Sequence, residues 1–171
     1  GVPFAFDASA SQPAGTLTYN WDFTSNGSID QTTGNSSTTN QYPGPGTYNV
    51  TLIVAGLGNC RDTINSQVTV YPKPVVSYTG PTAFCGNVVP LASQGQVANP
   101  SVMDIYEWYF NGVNVGSGQN VIQPFPNNPF ATVTGMVVGT SNDGCADSAM
   151  FSIDLNPSPS ADFTYDDDCA G

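Results

Sequence analysis

The stretch GTYNVTLIVAGLGNCRDT, residues 46–63, decides the fold because the chain repeats it. It joins an alternating apolar segment, a glycine-rich loop and a cysteine closely followed by Asp-Thr. Residues 134–148, TGMVVGTSNDGCADS, keep the same order with Asp-Ser after the cysteine. Cys60 and Cys145 lie 85 positions apart. An internal period of this length predicts a tandem array of similar domains.

The same offset relates other positions along the chain. YPKP (71–74) maps onto NPSP (156–159), and a third copy begins at SADFTYDDDCAG (160–171). The 85-residue offset also relates three pairs of apolar residues: Phe6 and Leu91, Val68 and Ile153, and Val70 and Leu155. We therefore predict one domain over 1–72, lacking part of its N-terminal edge, a second over 73–157, and the start of a third over 158–171.

Within each unit the apolar residues recur every second position. LTYNWDF (17–23), TYNVTLIV (47–54) and IYEWYF (105–110) all alternate, and Gly/Pro/Asn clusters separate such segments. This pattern predicts half-buried antiparallel strands. Several short strands around one Trp in about 85 residues are typical of an immunoglobulin-like sandwich. No segment has a convincing helical pattern, so we predict an all-β chain of tandem sandwiches arranged as a rod.

The composition excludes several classes of function. The chain of 171 residues has 2 Lys+Arg, 13 Asp+Glu and no His, for a net charge of −11. Such a chain offers no basic surface to nucleic acid or to an anionic membrane. With no His and only two cationic side chains, the chain lacks the usual general base and offers little to stabilise an oxyanion, so we expect no enzyme activity. No apolar run is long enough to span a membrane, and the start at Gly1 without a signal peptide suggests a fragment or processed product.

Four motifs together resemble a known family. FDAS, YNWDF and PGTYNVTL, followed by VTV-x-P, resemble the PKD (polycystic kidney disease) domain over nearly the whole first unit. The family's usual WDFGDG is WDFTSNG here, and the second unit departs further with WYFNG and NPFATV. A cysteine followed by x-Asp-[Ser/Thr] is similar to the PKD arrays of Bacteroidota surface proteins, which include the SprB-type gliding adhesins. That resemblance implies cell-surface export by a type IX-like system.

The repeat suggests how the four cysteines pair. Cys85 and Cys145 belong to one unit, so we predict a disulfide between them, which would contribute roughly 4 kcal/mol in the chain-entropy model. Cys60 and Cys169 would then find partners outside the chain. The alternative is a Cys60–Cys85 bond across the domain junction. Scattered cysteines without a CxxC pair do not indicate a metal site.

Two polar segments are candidates for binding a cation. In WDFTSNGSID the side chains of Asp22, Asn26, Ser28 and Asp30 could supply oxygens to Ca²⁺, although the alternative is a simple turn whose Asn-Gly adopts positive φ. The three aspartates at 166–168 could hold a cation at a domain junction, or could be a solvated loop. No other cofactor is indicated.

Several polar positions are candidates for glycosylation. Asp62-Thr63-Ile64 and Asp147-Ser148-Ala149 are 85 positions apart, and each resembles the acceptor motif of Bacteroidota O-glycosylation, with Thr63 and Ser148 as acceptors. The alternative is that these side chains satisfy the loop backbone. Three N-x-[Ser/Thr] sequons occur, at Asn26, Asn35 and Asn49.

The aromatic residues could form a core or a sugar-binding platform. Their alternation with aliphatic residues favours the core, with Tyr109 on the opposite, exposed face; the set is Tyr19, Trp21, Tyr48, Tyr106 and Trp108.

We therefore interpret the chain as a non-catalytic stalk or spacer of a long extracellular adhesin or surface filament. Short proline-containing linkers would limit bending between units. Expected partners are neighbouring repeats, lateral copies of the chain, surface glycans or envelope proteins, with no nucleic acid and no membrane insertion. The alternatives are an accessory PKD module of a secreted hydrolase and a carbohydrate-binding module. A long array would favour the stalk, and an exposed planar aromatic strip would favour carbohydrate binding.

Overall fold

Two compact units, residues 1–72 and 73–171, make up the chain in the computed structural model. The structure describes residues 3–12, 15–125 and 131–165. Nearly all regular structure in these ranges is strand, and the helical exception is one 3₁₀ turn at Leu57–Asn59. The predicted all-β class is confirmed.

Unit 1 packs a two-stranded sheet against a four-stranded sheet. The small sheet pairs β1 with β4, and the large sheet has the order β3-β2-β5-β6. All strand pairs of unit 1 are antiparallel, and the longest ladder joins β5 to β6. The strands are β1 (Phe4–Asp7), β2 (Thr18–Asp22), β3 (Gln31–Thr33), β4 (Ser37–Asn40), β5 (Gly46–Ala55) and β6 (Arg61–Val70).

Unit 2 packs a three-stranded sheet against a five-stranded sheet. The orders are β12-β9-β7 and β11-β10-β13-β14-β8, and the pair of β14 with β8 is parallel. The strands are β7 (Val75–Tyr78), β8 (Ala83–Cys85), β9 (Val88–Gln96), β10 (Met103–Phe110), β11 (Val113–Ser117), β12 (Asn120–Pro124), β13 (Thr132–Ser141) and β14 (Ala146–Asn156).

The repeated cysteine segments form matching hairpins. β5 pairs with β6 in unit 1, and β13 pairs with β14 in unit 2. Each hairpin closes on a carbonyl of its cysteine: Gly56 N–H donates to Cys60 O and Ser141 N–H donates to Cys145 O, both at 2.9 Å. Gly56 and Ser141 are themselves 85 positions apart. The 85-residue repeat of the sequence is therefore also a repeat of the hairpin structure.

Each unit has its own aromatic core around one Trp. Trp21 is 4% exposed and stacks near Phe6 and Phe23, whereas Trp108 is fully buried against Tyr78 and Phe151. The core assignment of the Trp residues is confirmed.

One aromatic assignment is wrong. Tyr109 is half-buried rather than exposed, since its hydroxyl donates to Glu107 Oε2 at 3.0 Å.

The two units differ at one edge of the sandwich. In unit 2, β12 pairs with one edge of β9 and β7 pairs with the other. β8 pairs with the end of β14. Among the residues that the structure describes in unit 1, β1 pairs only with β4 and β6 pairs only with β5. The inward face of β6 is covered only in part: Val68 and Val70 pack against the core, whereas Ile64 is 63% exposed.

Candidate functional site

Asp22 organises the loop between β2 and β3. Its side chain is only 3% exposed, and its carboxylate accepts backbone N–H groups from Thr24 at 3.1 Å, Asn26 at 3.2 Å and Gly27 at 2.8 Å. The loop can fold around one carboxylate because Ser25 and Gly27 adopt positive φ, 49° and 87°.

The other members of the predicted calcium set also serve the loop backbone. Asp30 Oδ2 accepts the N–H of Phe23 at 2.7 Å, and Asn26 Oδ1 accepts the N–H of Ser28 at 2.8 Å. A cation at these oxygens would meet the same N–H groups that now donate to them. The structure therefore does not assemble Asp22, Asn26, Ser28 and Asp30 into a calcium site, and the interpretation as a turn describes this loop. Within the described ranges, no cluster of three acidic or cysteine side chains is arranged to hold a metal ion.

The hydrogen bonds set the protonation state of Asp22. Burial raises the pKa of this carboxyl, but the N–H groups of Gly27, Thr24 and Asn26 outweigh burial and leave the pKa below its usual value. A carboxyl with a lowered pKa in the folded state stabilises the fold above its unfolded pKa, and that contribution is lost as the pH falls through the folded value.

We expect Asp22→Asn to destabilise unit 1 at neutral pH and to flatten its acid dependence, because an amide presents only one acceptor oxygen to several N–H donors. Urea unfolding between neutral and acid pH measures both effects. Asp104→Asn, at an exposed carboxylate of unit 2, is the control and should leave unit 1 unchanged. An Asp22→Asn variant with wild-type stability and acid response would contradict this role.

The predicted disulfide between Cys85 and Cys145 is wrong. Cys145 precedes β14, whereas Cys85 pairs with Asn156 at the far end of the same strand. Eleven strand residues span about 36 Å, far beyond the roughly 7 Å between Cα atoms that a disulfide tolerates. Cys60, Cys85 and Cys145 all carry free thiols. Sharing a unit did not imply proximity, because the two cysteines mark opposite ends of one sandwich.

The two Asp-[Ser/Thr] motifs occupy equivalent positions. Thr63 and Ser148 lie on the outer faces of β6 and β14, one residue past an aspartate, and both are exposed. Burial would have excluded glycan attachment, so O-glycosylation of these residues stays a prediction, which peptide masses of native material would check. The sequon residues Asn26, Asn35 and Asn49 are exposed as well.

The two aspartates before these acceptors have different roles. Asp147 accepts the N–H of Val76 at 3.2 Å and forms an ion pair with Lys73 at 2.7 Å, which fixes the start of β7. The hydrogen bond from Lys73 lowers the pKa of Asp147. Asp62 is exposed, and its carboxylate accepts a local hydrogen bond from the N–H of Thr63 at 2.9 Å. Cys169 and the three aspartates at 166–168 lie outside the described residues.

An open groove in unit 1 was not predicted from the sequence. It has a volume of about 850 Å³ and lies along the inward faces of β5 and β6. Its lining is mainly apolar and includes Phe6, Leu17, Trp21, Leu52, Val54 and Ile64.

Comparison with known proteins gives the class of the fold. Residues 1–70 match the family model described as "PKD domain". No curated protein matches the chain. No helix in the described part of the chain has the length and apolarity needed to cross a membrane.

Three solved structures align with most of the chain. The fibronectin(III)-like modules of Clostridium thermocellum CbhA align with a TM-score of 0.50 and 12% identity, covering 92% of this chain and 87% of that chain. Three N-terminal domains of the bacteriophage RB49 Hoc protein align at 0.40 and 20% identity, covering 82% and 49%. The amphioxus IgVJ-C2 molecule aligns at 0.38 and 17% identity, covering 89% and 96%. Residues 1–70 are therefore similar to the PKD domain and fold as a β-sandwich, which a second β-sandwich follows.

Proposed function

We propose that this chain is a non-catalytic stalk segment of a long extracellular adhesin or cell-surface filament, where it holds a binding region away from the cell. The observation that carries the proposal is the structural repeat: two sandwiches in series, each closed by a long hairpin with the same Gly56–Cys60 or Ser141–Cys145 hydrogen bond. Repetition of one domain adds length without adding a new kind of surface.

The absence of assembled chemistry in the candidate sites supports a structural role. PKD and Ig-like domains are typically non-catalytic, and the carboxylates of the Asp22 loop are occupied by backbone N–H donors. Carbohydrate binding through the two Trp residues is disfavoured because both are buried, at 4% and 0% exposure. An accessory role beside a secreted hydrolase remains the alternative, and the number of repeats in the parent protein distinguishes it from a stalk.

Surface location and export by a type IX-like system are part of the same proposal, on the resemblance of the repeats to Bacteroidota adhesin arrays. Neighbouring repeats are the expected partners along the stalk. Glycans on Thr63 and Ser148 would sit at the same place on each repeat and would shield the strand faces from proteases.

The stalk proposal predicts an elongated particle in solution. Two units placed end to end would give a radius of gyration of about 22 Å, whereas a single compact body of this length would give about 15–16 Å. Small-angle X-ray scattering at low protein concentration measures this difference. Extrapolating the scattering to zero concentration removes any contribution from self-association. A compact value would refute the stalk.

A further inference from the structure

The turn between β13 and β14 is tied to the segment that precedes β10. Asn142 donates its backbone N–H to Val102 O at 2.9 Å, and its side-chain Oδ1 accepts the N–H of Val102, also at 2.9 Å. The register of the sheet leads into this pair, because Met103 of β10 lies opposite Ser141 of β13. The turn and the segment are therefore neighbours at one end of unit 2.

Three oxygen atoms beside this pair are buried and have no hydrogen-bond partner in the described part of the chain. They are Ser101 Oγ, Ser141 Oγ and Asp143 Oδ2. Ser101 is 4% exposed and Ser141 is 2% exposed, so both hydroxyls are shielded from bulk solvent. A buried oxygen without a partner is costly, and folded proteins contain few of them. Three in one place therefore point to a ligand that these oxygens share.

The two hydroxyls lie on the same side of the sheet end. Val102 is 58% exposed and Asn142 is exposed as well, so the residues next to them in the chain, Ser101 and Ser141, point to the opposite face. By the register, these two serines are diagonal neighbours, with a Cα separation of about 7–8 Å. Oxygens of two such side chains can reach one ion at a ligand distance of about 2.3–2.6 Å. Asp143 follows Asn142 directly and brings its buried carboxylate oxygen to the same end of the unit.

The chemistry of these side chains favours a cation. An ionised carboxylate can only accept, and each hydroxyl oxygen has lone pairs to offer. In the described part of the chain, Lys73 pairs with Asp147 and no cationic side chain pairs with Asp143. Carboxylate and other oxygen ligands suit hard cations such as Ca²⁺. Asp143 is half-buried, which gives an ion a route from solvent.

We propose that Ser101, Ser141 and Asp143 bind a small hard cation, Na⁺ or Ca²⁺, at this end of unit 2. The carboxylate supplies the charge, and the two hydroxyls supply neutral oxygens. The bound ion would join the β13–β14 turn to the segment before β10 and so stabilise unit 2. With one carboxylate in the set, binding should be weak, with a dissociation constant of about 10⁻⁴–10⁻³ M or above for Ca²⁺. This inference does not depend on the stalk function.

The corresponding turn of unit 1 lacks these oxygens. By the 85-residue offset, Ser141 and Asp143 correspond to Gly56 and Gly58. Neither glycine has a side-chain oxygen, although Gly56 makes the same hairpin hydrogen bond as Ser141. Closing the hairpin therefore does not require the Ser141 hydroxyl, and unit 1 is an internal control for ion binding.

Urea unfolding of the chelator-treated chain in CaCl₂ or NaCl tests this directly. Tetramethylammonium chloride keeps the ionic strength constant, so that screening within the acidic chain does not change. The Trp21→Phe chain reports unit 2 through Trp108, and the Trp108→Phe chain reports unit 1 through Trp21. At ten times the dissociation constant, the bound ion should lower the unfolding equilibrium constant of unit 2 about tenfold and leave that of unit 1 unchanged. The salt that produces the effect identifies the ion.

Three variants in the Trp21→Phe chain separate a bound ion from hydroxyls that merely lack a partner. Asp143→Asn should weaken ion binding at least about tenfold, because it removes the only charge of the set. Ser141→Ala should be as stable as its parent chain or more stable without the ion, since a buried unpaired hydroxyl is lost, and less stable than its parent with the ion. Asp104→Asn removes one charge at an exposed carboxylate nearby and should respond to the ion like its parent. Circular dichroism confirms that each variant is folded.

Three outcomes would overturn the proposal. If neither salt stabilises unit 2, the three oxygens bind no cation and meet only water. If Asp143→Asn responds to the ion like its parent, the ion binds elsewhere. If both units are stabilised equally, the effect is a general response of an acidic chain to added salt.

Discussion

Replacing Trp108 with Ala is expected to lower the free energy of unfolding of unit 2 by about 3–5 kcal/mol, which is the range for truncating a large buried aromatic residue. Trp108 has no exposed surface, and its ring contacts Tyr78 and Phe151. Its indole N–H also donates to Gly118 O at 2.8 Å. The substitution would leave a cavity and a carbonyl without its donor, and neither can be relieved without moving two sheets.

The same variant also separates the two units spectroscopically. The chain has two Trp residues, so Trp21 of unit 1 becomes the only fluorophore of its kind in Trp108→Ala. Urea unfolding followed by circular dichroism should show an early transition for unit 2, while Trp21 fluorescence should change only at the wild-type midpoint of unit 1. Met150→Ala, at a 71% exposed position, is the control and should shift neither transition by more than about 0.5 kcal/mol.

This result depends on the units having separate cores. The buried apolar residues form two clusters, one around Trp21 and one around Trp108. If both probes moved together to lower urea, the two units would unfold as one cooperative body, and the description of independent repeats would be wrong.

Local pattern predicted the strands well because the strands are themselves local. Alternation in TYNVTLIV and IYEWYF placed Trp108 and Leu52 inside, and both are buried. The 85-residue offset predicted the matching hairpins because a turn between two long strands is set by a few neighbouring residues. The surface position of Thr63 and Ser148 follows from the same alternation.

The pairing of distant segments could not be predicted in the same way. Cys85 and Cys145 share a unit, but they lie at opposite ends of β14. Cys145 precedes the strand, whereas Cys85 of β8 pairs in parallel with Asn156 at its last residue. The acidic WDFTSNGSID loop suggested a cation because composition does not show where backbone N–H groups point. Asp22 accepts these groups only because Ser25 and Gly27 turn the chain back toward it.

The uncovered edge of unit 1 leads to the second large effect, a comparison of two isoleucines. Ile153→Ala should lower the free energy of unfolding of unit 2 by about 2–5 kcal/mol, because Ile153 is fully buried. Ile64→Ala should cost unit 1 only about 0.5 kcal/mol, because Ile64 is 63% exposed in the groove. Both residues lie on the inward face of the second strand of their hairpin, but at different positions along it, since Ile64 corresponds to Ala149 and Ile153 to Val68 by the 85-residue offset. The comparison therefore keeps the side chain the same and changes its burial. Urea unfolding of the two variants measures the difference, and equal costs would mean that the groove is closed in solution.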